Sequence, residues 1–278
     1  MSFVNVNFYK ENPDAILIDC RFNLTQPDEG REEYEKGHVK GAIYVDLDRD
    51  LMGTLAEHGG RHPLPDMEEF RKRAESWGIS DDSTVIIYDA GVSFPSACRL
   101  CLMLKMLGKE SYIIEGGIEA LREAGYEMVT EVPEPKPGKL TTKPNHDLVV
   151  DIDYVLKNIG SEKVAIVDSR GESRYKGLEE PMDKIAGHIP SAIHMFWQDA
   201  FDGEKLKSKE ELKKRFAPLD AYEEAVFYCG SGVTGAVNTI LYESLGGKAK
   251  LYSGSYSDYV TYKGNKLIIK DGEEFTIE

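Results

Sequence analysis

The sequence predicts an α/β protein made of two tandem copies of one mainly parallel sheet, each with helices on both faces. Three observations predict it. Short apolar runs alternate with helical stretches along the whole chain. Three segments recur in the same order in the two halves. A proline-rich stretch, "EVPEPKPGKLTTKPN" at residues 131–145, lies near the middle, where Pro133, Pro135, Pro137 and Pro144 favour an extended connection. The domains expected are residues 1–132, a linker over 133–145, and residues 146–278.

The first recurring segment is "AILIDCRF" (15–22), matched by "VAIVDSRG" (164–171). Its apolar run lacks strict alternation, as in a strand buried on both faces. Next, "GHVKGAIYVDLD" (37–48) matches "GHIPSAIHMFWQ" (187–198), with "AIYVDL" read as a strand. A histidine in both copies, His38 and His188, indicates a structural role in fixing a loop. "MEEFRKRAESWG" (67–78) and "KEELKKRFAPL" (209–219) carry the helical apolar period. The third pair is "TVIIYDAG" (84–91) with "AVFYCGSG" (225–232). Helices follow at 96–108 and 235–247, each ending in glycine. Cys98 and Cys101 form C-x-x-C inside the first of these, and packing accounts for them, since no second pair completes a zinc site.

Composition narrows the functional classes. The 278 residues are 41% hydrophobic, enough for sizeable cores. A formal charge of −15, from 34 basic and 49 acidic residues, repels phosphate backbones and argues against nucleic acid as a partner. The N-terminus lacks a basic region followed by an apolar one, and no apolar run is long enough to span a bilayer. Four scattered cysteines make no disulfide framework. The expectation is a cytoplasmic protein with reduced thiols.

The chemistry points to Cys229. It ends an apolar strand and is followed at once by Gly230, Ser231, Gly232, Val233 and Thr234, before a helix. In open parallel sheets, sites form beyond the carboxyl ends of strands. Glycines let successive N–H groups converge into an anion-binding nest, and the helix adds its positive end. Such a loop favours a thiolate or a persulfide anion. A buried cysteine before an ordinary turn is the plain alternative, but a mere turn needs only one of the two glycines around Ser231. A cysteine phosphatase needs arginine six positions on, where Gly235 stands; a P-loop needs Gly-Lys-Ser/Thr, and no lysine occurs here.

"CGSGVT", the paired "GHV/IxxA" segments, "DSRGESRY", "GGRHPLP" and "YSGSYSDY" together resemble the two-domain rhodanese-like sulfurtransferases, over nearly the whole chain and in the family's order. The resemblance implies that only the second copy is catalytic. Asp89 stands where Cys229 stands, and "DAGVSF" replaces the cysteine loop. It implies that Cys229 takes a sulfane sulfur from thiosulfate or 3-mercaptopyruvate and passes it to a thiophilic acceptor: cyanide, a thiol or thioredoxin. No cofactor and no metal are implied. Arg174 matches an arginine that holds the mercaptopyruvate carboxylate. The family's second arginine is replaced by Met182, with Lys184 as a candidate substitute. Ser231 with Asp48 and His62 matches a serine–histidine–aspartate set that assists mercaptopyruvate turnover. Thiosulfate-preferring members carry basic residues after the cysteine, where this chain has Gly230 and Ser231. The alternative reading is a non-catalytic binding or regulatory protein on the same duplicated fold.

Overall fold

The apolar runs become parallel strands, and the duplication extends to their order. In the first half these are β1 (Phe3–Val4), β2 (Ile16–Asp19), β3 (Ile43–Tyr44), β4 (Val85–Tyr88) and β5 (Ser111–Ile114). They lie in the order β1-β5-β4-β2-β3, every neighbouring pair parallel. In the second half β6 (Val149–Val150), β7 (Val164–Asp168), β8 (Ile193–His194), β9 (Glu224–Tyr228) and β10 (Ala249–Tyr252) take the order β6-β10-β9-β7-β8, again all parallel. Adding five to each strand number converts one sheet into the other. The central strands β4 and β9 are buried at every residue, which explains why they read as continuous apolar runs.

This computed structural model describes residues 2–91, 94–203 and 205–278. The chain divides into two units. One comprises Met1–Met52, Pro65–Asn145 and Phe201–Leu206, and the other Gly53–Leu64, His146–Ala200 and Lys207–Glu278. Each unit therefore borrows a short segment from the other half of the sequence. The proline-rich stretch carries no helix or strand between Val129 and His146, but it is tied along the first unit. Gly138 N–H donates to Glu75 O at 2.7 Å, Leu140 N–H to the Glu75 carboxylate at 2.9 Å, and Asn145 N–H to Met106 O at 2.6 Å.

Helix boundaries follow from capping chemistry. The helix α1 (Met67–Ser76) starts at Asp66, whose carboxylate accepts the Glu68 and Glu69 N–H groups, and it buries Met67, Phe70 and Ala74. The buried helix α2 (Pro95–Met106) has proline in its first turn and holds Cys98 and Cys101 in the core. A complete capping box between Ser208 and Glu211 opens α3 (Lys209–Phe216), which buries Leu212 and Phe216. The strand expected over "AIYVDL" is shorter than its apolar run. Asp46 accepts the N–H groups of Asp48 and Arg49 and turns the chain into the helical turn Leu47–Asp50, so only Ile43–Tyr44 pairs with β2.

The same polar struts brace both copies. Arg21 pairs with Asp19 at 2.7 Å and donates to Gly37 O at 2.9 Å; Arg170 pairs with Asp168 at 2.6 Å and donates to Gly187 O at 2.6 Å. The His38 ring bonds Tyr34 O at 2.8 Å, and the His188 ring bonds Tyr175 O at 2.7 Å. Tyr88 and Tyr228 hydroxyls accept the N–H groups of Val39 and Ile189 at 3.3 and 3.2 Å. Residues present in both copies thus hold loops. Among the described residues, no helix is long and apolar enough to cross a membrane.

Candidate active site

Strand β9 delivers Cys229 to the carboxyl edge of the second sheet, and the helix α4 (Gly235–Ser244) starts six residues later. The residues between are stitched to the helical turn α5 (Ser255–Tyr259). Cys229 N–H donates to Ser255 Oγ at 3.1 Å, Tyr256 N–H to Cys229 O at 3.0 Å, and Ser257 N–H to Gly230 O at 2.9 Å. With the backbone held this way, Gly232 N–H donates to Cys229 Sγ at 3.2 Å. One amide dipole of the loop therefore points at the sulfur.

The two glycines have separate causes. Gly232 has φ +78°, and a Cβ there would fall 2.2 Å from Ser253 O, so both backbone angle and space demand glycine. Gly230 lies under two arginines. A Cβ on it would fall 2.8 Å from Arg61 Nη2 and 3.3 Å from both terminal nitrogens of Arg174. Cys229 itself is buried, 2% exposed.

Arg61 comes from the segment Gly53–Leu64, which belongs to this unit and is pinned to it by backbone and side-chain bonds. Gly59 N–H donates to the Asp258 carboxylate at 2.7 Å and Arg61 N–H to Ser257 Oγ at 3.0 Å. His58 bonds Thr261 Oγ1 at 2.7 Å and stacks on Tyr262. That anchoring places His62 Nδ1 2.7 Å from Ser231 Oγ, inside the cysteine loop.

Behind the loop, carboxylates and guanidiniums alternate. Asp168 pairs with Arg170, and Arg170 with Glu180 at 3.2 Å. Glu180 holds Arg174 through two hydrogen bonds, at 2.7 and 2.9 Å. Asp183 then bridges Arg174, at 3.1 Å, and Arg61. Burial alone would push the Asp168 carboxyl up, but Arg170 outweighs it and the net direction is down. Burial raises the Asp183 carboxyl despite the pull of Arg61. The Arg170 guanidinium also lies 3.8 Å from the centre of the Tyr256 ring, so Tyr256 and Tyr259 serve the core.

Other residues singled out in the sequence fall as follows. The Arg174 side chain is only 18% exposed, because it is held against Glu180 and Asp183. Lys184 is exposed, and the cation lying with Arg174 over Gly230 is Arg61. Asp48 sits in the turn Leu47–Asp50 of the first unit, its carboxyl raised by burial and by Asp46. Asp89, at the end of β4, is buried and accepts N–H groups of Ala90 at 2.8 Å and Ala97 at 3.2 Å. Val92 and Ser93 of the "DAGVSF" loop lie outside the described residues. Arg61 is the residue that the sequence reading missed; the available signal was its place beside His62 in "GGRHPLP".

The chain is similar to known proteins over most of its length. The model of the Rhodanese-like domain matches residues 7–124 and again 151–262. A probable 3-mercaptopyruvate sulfurtransferase of Pseudomonas aeruginosa is 35% identical over 258 residues, covering 90% of each chain. A thiosulfate sulfurtransferase of Rattus norvegicus is 28% identical, over 90% of this chain and 86% of its own. The solved structure of 3-mercaptopyruvate sulfurtransferase from Leishmania major superposes with a TM-score of 0.81 at 31% identity, covering 92% of this chain and 73% of that one.

Proposed function

Because the chain belongs to the rhodanese-like family and is a sulfurtransferase, we propose that it carries the travelling sulfur on Cys229. The observation that carries this reading is the Gly232 N–H aimed at Cys229 Sγ from a loop on a parallel strand's carboxyl end. The Cys229 thiolate attacks the outer sulfur of the donor. A sulfur–sulfur bond forms to the protein, and the donor's own bond to that sulfur breaks. Sulfite leaves from thiosulfate; from 3-mercaptopyruvate the enolate of pyruvate leaves and takes up a proton. Cyanide, a thiol or a thioredoxin then attacks the outer sulfur and returns the thiolate. No external oxidant or reductant is needed.

Gly232 N–H stabilises negative charge on sulfur before and after transfer, a fixed dipole that needs no reorganisation. Gly230, Val233 and Thr234 shape the backbone that presents it. Arg174 supplies positive charge beside the loop for an anionic donor. The Ser231–His62 pair is placed to hand a proton to the leaving enolate. Our reading places the chain in the cytoplasm, where thiols stay reduced and a thiol acceptor is at hand; Cys20, Cys98, Cys101 and Cys229 are all free.

Double displacement has a kinetic signature. Initial rates of thiocyanate formation over a grid of donor and cyanide concentrations are expected to give parallel double-reciprocal lines. Intersecting lines would mean that both substrates must be bound together, and the covalent route would be wrong.

A further inference from the structure

We infer that Asp258 is a positioning residue: by holding Gly59 it keeps His62 in register with Ser231 of the cysteine loop, and so sets the proton delivery that 3-mercaptopyruvate needs and thiosulfate does not. The inference rests on the proposed chemistry at Cys229 and on the proton role of the Ser231–His62 pair.

The turn α5 binds on two sides. One side holds the nucleophile, where Ser255 Oγ, Tyr256 N–H and Ser257 N–H bond the backbone of Cys229 and Gly230. The other holds the segment that carries His62. The Asp258 carboxylate accepts Gly59 N–H at 2.7 Å, and Ser257 Oγ accepts Arg61 N–H at 3.0 Å. Just beyond the turn, Thr261 Oγ1 bonds His58 at 2.7 Å. The 2.7 Å contact between His62 and Ser231 depends on both sides keeping their places.

Asp258 is the stiffest of these ties. It is buried, and its second oxygen accepts the Tyr252 hydroxyl at 2.6 Å, so the carboxylate is fixed at both ends. Charge-assisted bonds of this kind are shorter and stronger than neutral ones. The backbone makes room for it. A Cβ on Gly254 would fall 2.5 Å from Asp258 Oδ2, and one on Gly60, where φ is +79°, would fall 2.3 Å from Gly254 O. Ser255, at φ +57°, holds a conformation that is costly for serine. These constraints fall along one seam, between the cysteine loop and the His62 segment.

The two donors ask different things of that seam. When Cys229 takes sulfur from 3-mercaptopyruvate, the carbon–sulfur bond breaks and its electron pair stays on the enolate, which takes up a proton. When it takes sulfur from thiosulfate, the sulfur–sulfur bond breaks and sulfite leaves as a stable anion with no proton from the protein. General acid catalysis is worth about 10²–10⁴-fold, and a misplacement of about 1 Å costs about a hundredfold. Loss of the Gly59 tie should therefore slow the first donor and spare the second.

Sulfur uptake, followed by rapid quench and intact mass before any acceptor is added, isolates this step. For Asp258→Ala, the uptake rate from 3-mercaptopyruvate should fall about tenfold or more. The rate from thiosulfate should fall by less than about threefold. Asp258→Asn, which keeps an acceptor for Gly59 N–H, should recover most of the loss. Tyr252→Phe removes the other bond of the carboxylate; it should lower the melting temperature and leave the ratio of the two rates within about twofold of native. Should Asp258→Ala fail to fold, Asp258→Ser, whose hydroxyl is one bond too short to reach Gly59, is read in its place. Equal falls with both donors would make Asp258 a plain strut and overturn the inference, as would a native ratio in Asp258→Ala. Uptake by the native chain from thiosulfate alone would overturn it too, since no proton is then needed. His62→Ala is measured alongside. A native ratio there would defeat the proton role of His62 and the inference with it, whereas a shifted ratio in His62→Ala but not in Asp258→Ala would defeat only the role of Asp258. No uptake by the native chain from either donor would defeat the Cys229 chemistry itself.

Discussion

Replacing Cys229 by serine is expected to abolish thiocyanate formation from both thiosulfate and 3-mercaptopyruvate while leaving the fold intact. The reason is chemical. A hydroxyl is a poor nucleophile at neutral pH and cannot hold a transferred sulfur in a disulfide-like bond. The structural change is one atom. Serine Oγ can still accept from Gly232 N–H, and the backbone bonds that place the loop involve Cys229 N and O. Stability should therefore shift by no more than about 1 kcal/mol. Thiocyanate assays and urea unfolding on the same preparation check both halves of the statement. Turnover within about tenfold of the native rate would place the nucleophile elsewhere.

The first copy yields the second large effect. Asp89 is buried where the second copy has Cys229, and desolvation pushes its carboxyl up to about 7, against the pull of the Ala90 and Ala97 N–H groups. Its ordinary value is 3.8. Because the folded value is the higher one, the native state holds a proton that the unfolded chain releases. Stability from this group is therefore complete below about pH 4 and falls as pH rises towards about 7, above which the loss is constant. Between pH 5 and pH 8 the loss is about 2–3 kcal/mol. Asp89→Asn cannot titrate. Urea unfolding across that range should give a variant whose stability profile is flatter than the native one by this amount, whatever the constant offset between them. Parallel profiles would show that Asp89 does not hold its proton in the folded chain.

Much of the fold was legible because burial writes itself into composition. Strands β4 and β9 are covered on both faces, so nearly every residue of "VIIY" and "EAVFY" is apolar. The duplication was legible because the same struts recur, Asp19–Arg21 with His38 and Asp168–Arg170 with His188. Strand ends were less so. The Asp46 cap competes with pairing and stops β3 after Tyr44, a contest between a side chain and a ladder that apolar pattern does not weigh.

Membership of short segments was not legible at all. Gly53–Leu64 joins the second unit through polar bonds to Ser257, Asp258 and Thr261, about two hundred residues away in sequence. The hairpin Phe201–Leu206 joins the first unit, where the Phe201 ring meets Phe94. Few apolar residues mark either segment, and such contacts leave no periodicity behind. Arg61 was missed for that reason. The cysteine loop needed only local information, a strand end, two glycines and a helix start, and it was read from sequence alone.

Intact-mass spectrometry of the native protein after exposure to thiosulfate or 3-mercaptopyruvate, followed by peptide mapping, tests the central claim most directly. The expected result is one added sulfur per chain, located on Cys229 and removed by cyanide. No added sulfur from either donor, or sulfur on Cys20, Cys98 or Cys101 instead, would contradict the account.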